Sequence, residues 1–362
     1  MKTKFLISFI FSFVALFASA QEYKILCAVD SAYNGKSVYL VDRASGDSIN
    51  TVVVSECAFR FEGKVDGAAI YDVVVNKIKG LTAMVLVEGG TVAEVDFTCR
   101  PAVACDNGGS NDRLSSYMNC FKKQNADLRE ECKQMEASGK SEKEVDVFWK
   151  AGEKAMHDTY RKVIKDNCDN LVGAVLLNSV ARQLCTTSVS LDSVMSEVKY
   201  AGLLPSLDRL RTALYYGEKT VAGNPYVDFA GFSQDGSVVR LSDYVGNGKY
   251  VLVDFWASWC GPCQREMPNV IAADEKYTGE KFMVVGVNIS DKEDNFKAAL
   301  PKLGITYPQI HVPRGCKDSD NAGLLYNVAT IPHMMLIAPD GTIIERGISG
   351  ADLDKKISDC LK

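Results

Sequence analysis

Residues 250–263 read YVLVDFWASWCGPC, and this segment is the most informative about the fold of the C-terminal part of the chain. The run from Tyr250 to Trp256 is apolar except for Asp254, which is typical of a strand buried on both faces of a sheet. Two cysteines three residues apart follow the strand, directly before a helical pattern. This order places Cys260 at the N-terminus of a helix.

The spacing of Cys260 and Cys263 allows them to form a disulfide with each other. At a helix N-terminus the sulfur of Cys260 lies near unpaired backbone N–H groups. These groups favour a thiolate and should lower the thiol pKa to roughly 7 or below. We therefore predict that Cys260 attacks a substrate disulfide and that Cys263 resolves the mixed disulfide. Pro262 fits the first helical turn, where its missing N–H costs little.

Other uses of a C-x-x-C motif fit the sequence less well. A zinc site needs a second ligand pair at suitable spacing, and the sequence shows none. Covalent haem attachment needs a histidine after the second cysteine, where Gln264 stands. A purely structural disulfide remains an alternative. We expect no metal and no cofactor besides the redox-active cysteines.

Strands and helices alternate over residues 222–362, which predicts an α/β domain. Besides the strand over residues 250–256, we expect strands over 281–289, 334–338 and 342–345. We expect helices over residues 263–277, 292–303 and 350–361.

Residues 21–100 predict a small antiparallel all-β domain, either a sandwich or an open barrel. Short runs alternate apolar and polar side chains, as at Phe59 and Phe61, and glycines separate the runs. The dipeptide Gly89-Gly90 lies between two apolar runs and predicts a tight hairpin.

Residues 101–221 predict an antiparallel helical bundle. Glycine becomes rare there, and Ser141 with Glu144 forms a capping box at a helix start. Residues 171–184 are apolar nearly all round, as in a buried helix. His157 has no partner at ligand spacing, which argues against a metal site in this region.

Residues 1–20 predict a cleaved signal peptide. Lys2 and Lys4 precede an apolar run over residues 5–17, and the small residues 18–20 form an A-x-A cleavage site. The run is short for a membrane anchor. We therefore expect a secreted, periplasmic protein in a compartment that permits disulfides.

The chain has 362 residues and a net charge of −5, so it has no basic surplus that could neutralise phosphates. We expect no nucleic-acid partner. Twelve cysteines are many for a reduced compartment but too few for a fold held together by disulfides alone.

Residues 251–263 resemble the active-site segment of thioredoxins, with Trp259 and Gly261 in matching positions. The continuation QREMP at residues 264–268 resembles the TlpA/ResA branch of secreted bacterial thiol–disulfide oxidoreductases. The resemblance covers about residues 224–362. More weakly, the N-terminal β region resembles a small domain of unknown function that precedes such modules. The resemblance implies a thioredoxin-like fold, disulfide exchange with protein substrates and a membrane thiol as electron donor.

Further site residues follow from this resemblance. Ile331-Pro332 matches the cis-proline element that faces the cysteine pair and aligns an extended substrate. Asp254 matches the buried acid that relays the proton of Cys263, and burial should raise its pKa. Glu266 matches the glutamate of the TlpA/ResA branch.

The roles of the two acids and of one histidine remain open in the sequence. Asp254 could instead lie at a solvated strand edge, and Glu266 could be a surface charge. Which acid acts as the base is undecided. His333, directly after the proline, could tune substrate preference or fill space.

Gly261-Pro262 resembles the dipeptide of reducing thioredoxins and favours a protein-disulfide reductase. An oxidase or isomerase is the alternative within enzymes, and apocytochrome c maturation is one pathway of the resembling branch. A peroxiredoxin is less favoured, because Ala257 stands where a T-x-x-C motif needs threonine. The alternative outside enzymes is a binding protein that works through its N-terminal regions, which could also mediate self-association as a homo-oligomer.

The other ten cysteines cannot be paired from their spacing. On one straight helix Cys120 and Cys132 would be about 18 Å apart, beyond the reach of a disulfide. Cys99 and Cys105 lie in a loop and could close a small ring.

Overall fold

The computed structural model describes residues 20–76, 81–348 and 350–362. Apart from Ala20, the predicted signal peptide lies outside the described residues. The chain forms two compact units. The first comprises the described residues up to Leu184 together with Val194–Pro205, and the second comprises Cys185–Ser193 and Ser206–Lys362.

The first unit contains the N-terminal strands and three long helices. Its strands are β1 (Gln21–Ala28), β2 (Ser37–Asp42), β3 (Ser48–Val53), β4 (Ala58–Val65), β5 (Ala68–Val75), β6 (Thr82–Glu88), β7 (Val92–Asp96) and β8 (Ala104–Cys105). Its helices are α1 (Ser110–Ala137), α2 (Glu142–Asp166) and α3 (Leu171–Leu184). The residues of α4 (Ser188–Glu197) are divided between the units.

The predicted all-β domain is a sandwich of two four-stranded sheets, in the orders β4-β1-β7-β8 and β3-β2-β5-β6. Alternate residues of both sheets fill one apolar core, including Ile25, Phe61, Val73 and Val85. The strand pairs are antiparallel except for β1 and β7, which are parallel.

The predicted Gly89-Gly90 hairpin is wrong. The strands on either side, β6 and β7, belong to different sheets of the sandwich. A tight hairpin of this kind has positive φ at both central residues, but only Gly90 has one, at 84°. The turn instead lets Val87 and Val95 bury themselves in the shared core from opposite sheets.

Two predicted features of the helical region are present in the structure. The capping box of Ser141 and Glu144 is formed at the start of α2. The buried helix α3 has the bounds that the apolar stretch predicts. Packing between helices explains this burial, since α1, α2 and α3 contact one another. Asn111 of α1 exchanges two hydrogen bonds of 2.9 Å with the backbone of Leu86, which fastens the helices to the sandwich.

The second unit is built on one seven-stranded sheet, in the order β10-β9-β13-β12-β11-β14-β15. Its strands are β9 (Ala230–Phe232), β10 (Val238–Arg240), β11 (Tyr250–Trp256), β12 (Phe282–Ile289), β13 (Gln309–Val312), β14 (His333–Ile337) and β15 (Ile343–Ile348). Its helices are α5 (Pro205–Lys219), of which Pro205 falls in the first unit, α6 (Gly261–Tyr277), α7 (Glu293–Leu303), α8 (Ala322–Leu325) and α9 (Gly350–Leu361).

Strand β11 is buried on both faces, as its apolar run predicts. It pairs parallel with β12 and antiparallel with β14. Because successive side chains point to opposite faces, Leu252 and Trp256 enter one apolar core while Val253 and Phe255 enter the other. The predicted strands and helices of this thioredoxin-like unit are all present within a few residues of their expected ends.

Strand β13 was not predicted from the sequence. Its four residues, Gln309 to Val312, do alternate polar and apolar side chains, but the run is short and lies between Pro308 and Pro313, so it resembles a loop. All four are nevertheless buried, because β13 pairs with β12 inside the sheet. Among the residues that the structure describes, no helix combines the length and apolar composition needed to cross a bilayer.

Candidate active site

Cys260 and Cys263 form a disulfide at the start of α6, with their Cα atoms 5.2 Å apart. Cys260 is the N-cap residue, and its backbone is extended. Its Sγ accepts a hydrogen bond of 3.1 Å from the backbone N–H of Cys263. Pro262 lies in the first helical turn. In the reduced protein the same N–H and the helix dipole would stabilise a thiolate on Cys260.

Both cysteines are buried, with Cys260 4% exposed, but they differ in their contact with a cavity. Cys260 lines a cavity of about 490 Å³, which we call the cysteine cavity, whereas Cys263 is 1% exposed and does not line it. The other lining residues are Trp259, Gly261, Pro262, Ile289, Ser290, Val328, Ala329, Thr330 and Ile331. This asymmetry fits Cys260 as the attacking sulfur and Cys263 as the resolving one.

The cis-proline element lies beside the disulfide. The Ile331–Pro332 peptide bond is cis, and β14 begins at the next residue. Sγ of Cys260 is 3.6 Å from the carbonyl oxygen of Ile331. Ile331 and Pro332 are half-buried. Residues 328–331, directly before Pro332, line the cysteine cavity and form one of its walls.

Asp254 lies in the centre of β11, opposite Gly286 of β12 and Met334 of β14. It is 2% exposed, which contradicts the alternative of a solvated strand edge. Burial raises the pKa of its carboxyl group to about 7, and the negative charge of Glu266 adds to the rise. Asp254 therefore has the pKa that proton transfer near neutral pH requires.

Glu266 is half-buried on α6, three residues after Cys263. Its Oε1 accepts a hydrogen bond of 3.0 Å from Asn269 Nδ2. A side chain at Gly350, the first residue of α9, would overlap the Glu266 carboxylate, so this glycine leaves room for it. Since its charge acts on Asp254, Glu266 is electrically part of the site.

His333 faces away from the cysteines. It stands opposite Phe255 in the β11–β14 register, and the two rings meet edge to face at 5.9 Å. Phe255 belongs to the core on one face of the sheet, whereas Cys263 belongs to the core on the other. Burial, aided by the positive charge of Arg346, lowers the pKa of His333 to about 4, so the ring is neutral at pH 7. This placement favours the space-filling role.

A buried polar chain, which the sequence analysis missed, holds the loop before Cys260. Asp291 accepts hydrogen bonds from the backbone N–H of Ser258 at 2.7 Å and from its hydroxyl at 2.9 Å. Asn288 Nδ2 donates to the same carboxylate at 2.7 Å. The amide oxygen of Asn288 lies 2.9 Å from Nδ1 of His311, which must therefore carry the proton.

A signal for this chain was present in the sequence. Asn288 and Asp291 are polar residues at the carboxyl end of β12, and Ser258 follows the carboxyl end of the neighbouring parallel strand β11. Such ends meet at one edge of a sheet. His311 gave no comparable signal, because its strand β13 was not predicted.

The substitution Asp291→Ala should lower the free energy of unfolding by about 3 kcal/mol, because it leaves buried hydrogen-bond donors on Ser258 and Asn288 unpaired. Urea denaturation monitored by circular dichroism measures the change. Asp294→Ala, at an exposed position in the first turn of α7, is the matched control. Equal small losses in both variants would contradict a role of Asp291 in holding the loop.

The ten other cysteines all lie in the part of the chain that the structure describes, and they form no disulfide with one another there. Cys120 and Cys132 lie on one helix, α1, so the separation of about 18 Å expected for a straight helix applies to them. Cys99 and Cys105 are exposed, and the small ring between them is not formed. Among the described residues, no three His, Cys, Asp or Glu side chains are grouped as a metal ion would require.

Comparison with known proteins finds thiol–disulfide exchange proteins. Residues 222–346 match a family model described as the AhpC/TSA family. The thiol-disulfide oxidoreductase ResA of Geobacillus thermodenitrificans is 31% identical over 152 residues, which are 41% of this chain and 83% of that protein. The thiol:disulfide interchange protein HelX of Rhodobacter capsulatus is 33% identical over 100 residues, which are 28% of this chain and 52% of that protein.

A solved structure, the thioredoxin domain of a thiol-disulfide oxidoreductase from Bacteroides vulgatus, is 26% identical, with a TM-score of 0.36. That match covers 39% of this chain and 99% of the other. The family model lies within the second compact unit and includes the cysteine pair.

Proposed function

Because the chain belongs to the ResA family of thiol-disulfide oxidoreductases, we propose that it is a protein-disulfide reductase that works through Cys260 and Cys263. The observation that carries the proposal is the asymmetric disulfide at the start of α6. Cys260 faces the cysteine cavity, and Cys263 lies behind it.

The proposed cycle begins with the reduced pair. The Cys260 thiolate attacks one sulfur of the substrate disulfide, forms a mixed disulfide and releases the other substrate sulfur as a thiolate. Cys263 then loses its proton and attacks Sγ of Cys260, which releases the second substrate sulfur. Two electrons pass from the protein to the substrate, and the Cys260–Cys263 disulfide remains. No further cofactor is needed for these steps.

Asp254 supports the second step. Cys263 must lose its proton inside the core, and the attack needs its thiolate. Asp254 belongs to the same face of β11 as Trp256, which packs in one core with Cys263. With a pKa of about 7 its carboxylate accepts this proton and returns it to the departing substrate thiolate.

The reducing direction rests on the Gly261-Pro262 dipeptide, which resembles that of reducing thioredoxins. In the periplasm, where the predicted signal peptide would deliver it, the protein needs an outside source of electrons. A membrane thiol protein is the proposed donor, and proteins with disulfides, apocytochromes c among them, are the proposed substrates.

The direction is tested by the reduction potential of the cysteine pair, measured by equilibration with a glutathione series. We expect a value near that of thioredoxin, about −270 mV. The Cys263→Ala variant, which cannot form the disulfide, is the control for signals from the other ten cysteines. A potential near about −120 mV would identify a strong oxidant and overturn the reductase while leaving the exchange chemistry intact.

A further inference from the structure

A second cavity adjoins the cysteine cavity and differs from it in charge. None of the described residues that line the cysteine cavity is charged. The second cavity, of about 400 Å³, shares Ile289, Ser290 and Val328 with the first and extends to Arg209 and Arg314. We call it the arginine cavity. Both cavities lie within the second compact unit.

The two arginines are available for a ligand. Both side chains are exposed, and neither forms an ion pair with an acid of the described residues. In contrast, Arg211, two residues from Arg209, is paired with Asp192 and Asp208. One carboxylate, that of Asp318, also lines the arginine cavity. The cavity therefore has a net positive charge, although the chain as a whole carries −5.

We propose that the arginine cavity binds an acidic side chain of the substrate polypeptide, close in sequence to the cysteine that Cys260 attacks. Guanidinium groups bind carboxylates through paired, charge-assisted hydrogen bonds. Two touching spheres of these volumes would have their centres about 10 Å apart, a distance that an extended chain covers in about three residues. The preferred substrate therefore carries Asp or Glu about three residues from its disulfide-bonded cysteine. This inference rests on the proposed function.

The test uses synthetic peptides that each contain one disulfide and differ at one position. The position lies three residues from the attacked cysteine, on either side, and holds Glu, Gln or Lys. The protein is reduced in advance, and the rate of a single turnover is measured at low salt. We expect the Glu peptide on one side to react about fivefold faster than its Lys counterpart, as for one exposed ion pair at the strong end of measured values.

Two charge reversals locate the preference. In Arg314→Glu and Arg209→Glu the advantage of the Glu peptide should disappear or invert. Lys317→Glu is the matched control, because it changes the charge equally in the same loop at a residue that does not line the cavity. Reduction of 2-hydroxyethyl disulfide, too small to reach the arginines, should keep its wild-type rate in all three. If a reversal fails to fold, the corresponding Arg→Gln variant replaces it.

The outcomes separate this inference from the proposed function. Equal rates for the Glu and Lys peptides on both sides would overturn the inference and leave the reductase standing. A preference for the Glu peptide that survives both arginine reversals would also overturn the inference. A preference that Lys317→Glu removes to the same extent as the arginine reversals would do so too. If the reduced protein reacts with none of the peptides, the reductase itself is overturned, and the inference falls with it.

Discussion

Replacing Cys260 with alanine should abolish disulfide reduction, whereas replacing Cys263 should stop the reaction at the mixed disulfide. Both variants should lose turnover by about 10³-fold or more, because each removes a sulfur that must form a covalent bond in the cycle. Only Cys263→Ala should accumulate substrate bound to the protein, since only Cys260 faces the cysteine cavity. Mass spectrometry under non-reducing conditions detects the adduct.

Cys360→Ala is the control for this pair of variants. Cys360 lies half-buried on α9 and forms no disulfide, so its loss should leave turnover at the wild-type level. An adduct on Cys263 in the Cys260→Ala variant, equal in amount to that on Cys260, would contradict the assigned roles. It would mean that both sulfurs are open to substrate, although only Cys260 of the two lines the cysteine cavity.

Replacing Asp254 with asparagine should stabilise the protein at neutral and alkaline pH. In the unfolded chain the carboxyl group ionises with an ordinary pKa of about 3.9, whereas burial raises the pKa in the folded protein to about 7. Between these values the folded state holds more protons than the unfolded state, so wild-type stability falls as the pH rises from about 4 to about 7. Above pH 7 the loss approaches about 4 kcal/mol, and asparagine avoids it.

Urea denaturation at pH 5 and at pH 8 measures this effect. The stabilisation by Asp254→Asn should be larger at pH 8, and Glu275→Gln, at an exposed position on α6, should show no such difference. Asp254→Asn should also slow release of substrate from the mixed disulfide by about 10²-fold, because the proton acceptor for Cys263 is lost. Unchanged stability at pH 8 would show that Asp254 is not held as a buried acid.

The redox site could be predicted from sequence because its main features are local. The strand, the helix N-terminus and the two cysteines lie within residues 250–263, and an apolar run broken only by Asp254 already indicates an acid inside a sheet. The contact between Cys260 and the backbone of Ile331 could not be predicted from this local pattern. It came from the resemblance to thioredoxins, because the residues are far apart in the chain.

The features that the sequence analysis missed depend on tertiary contacts. Gly89-Gly90 has the composition of a hairpin, but the opposing sheet offers burial to both flanking strands and separates them. Strand β13 can bury polar side chains because residues of neighbouring strands hydrogen-bond to them. Gln309, for example, accepts a hydrogen bond of 2.9 Å from the indole N–H of Trp256. The arginine cavity joins Arg209 of α5 to Arg314 of a distant loop, a proximity that only the fold creates.

Some of the ten cysteines outside the pair can take part in the same exchange chemistry as the pair itself. Cys99, Cys105 and Cys120 are exposed thiols, and the same molecule carries a disulfide of the kind that thiols attack. Each copy therefore holds both reagents of the exchange reaction, the catalyst and a potential substrate. If the proposed electron donor keeps the Cys260–Cys263 pair reduced, the same donor also protects the protein from cross-linking to its own copies.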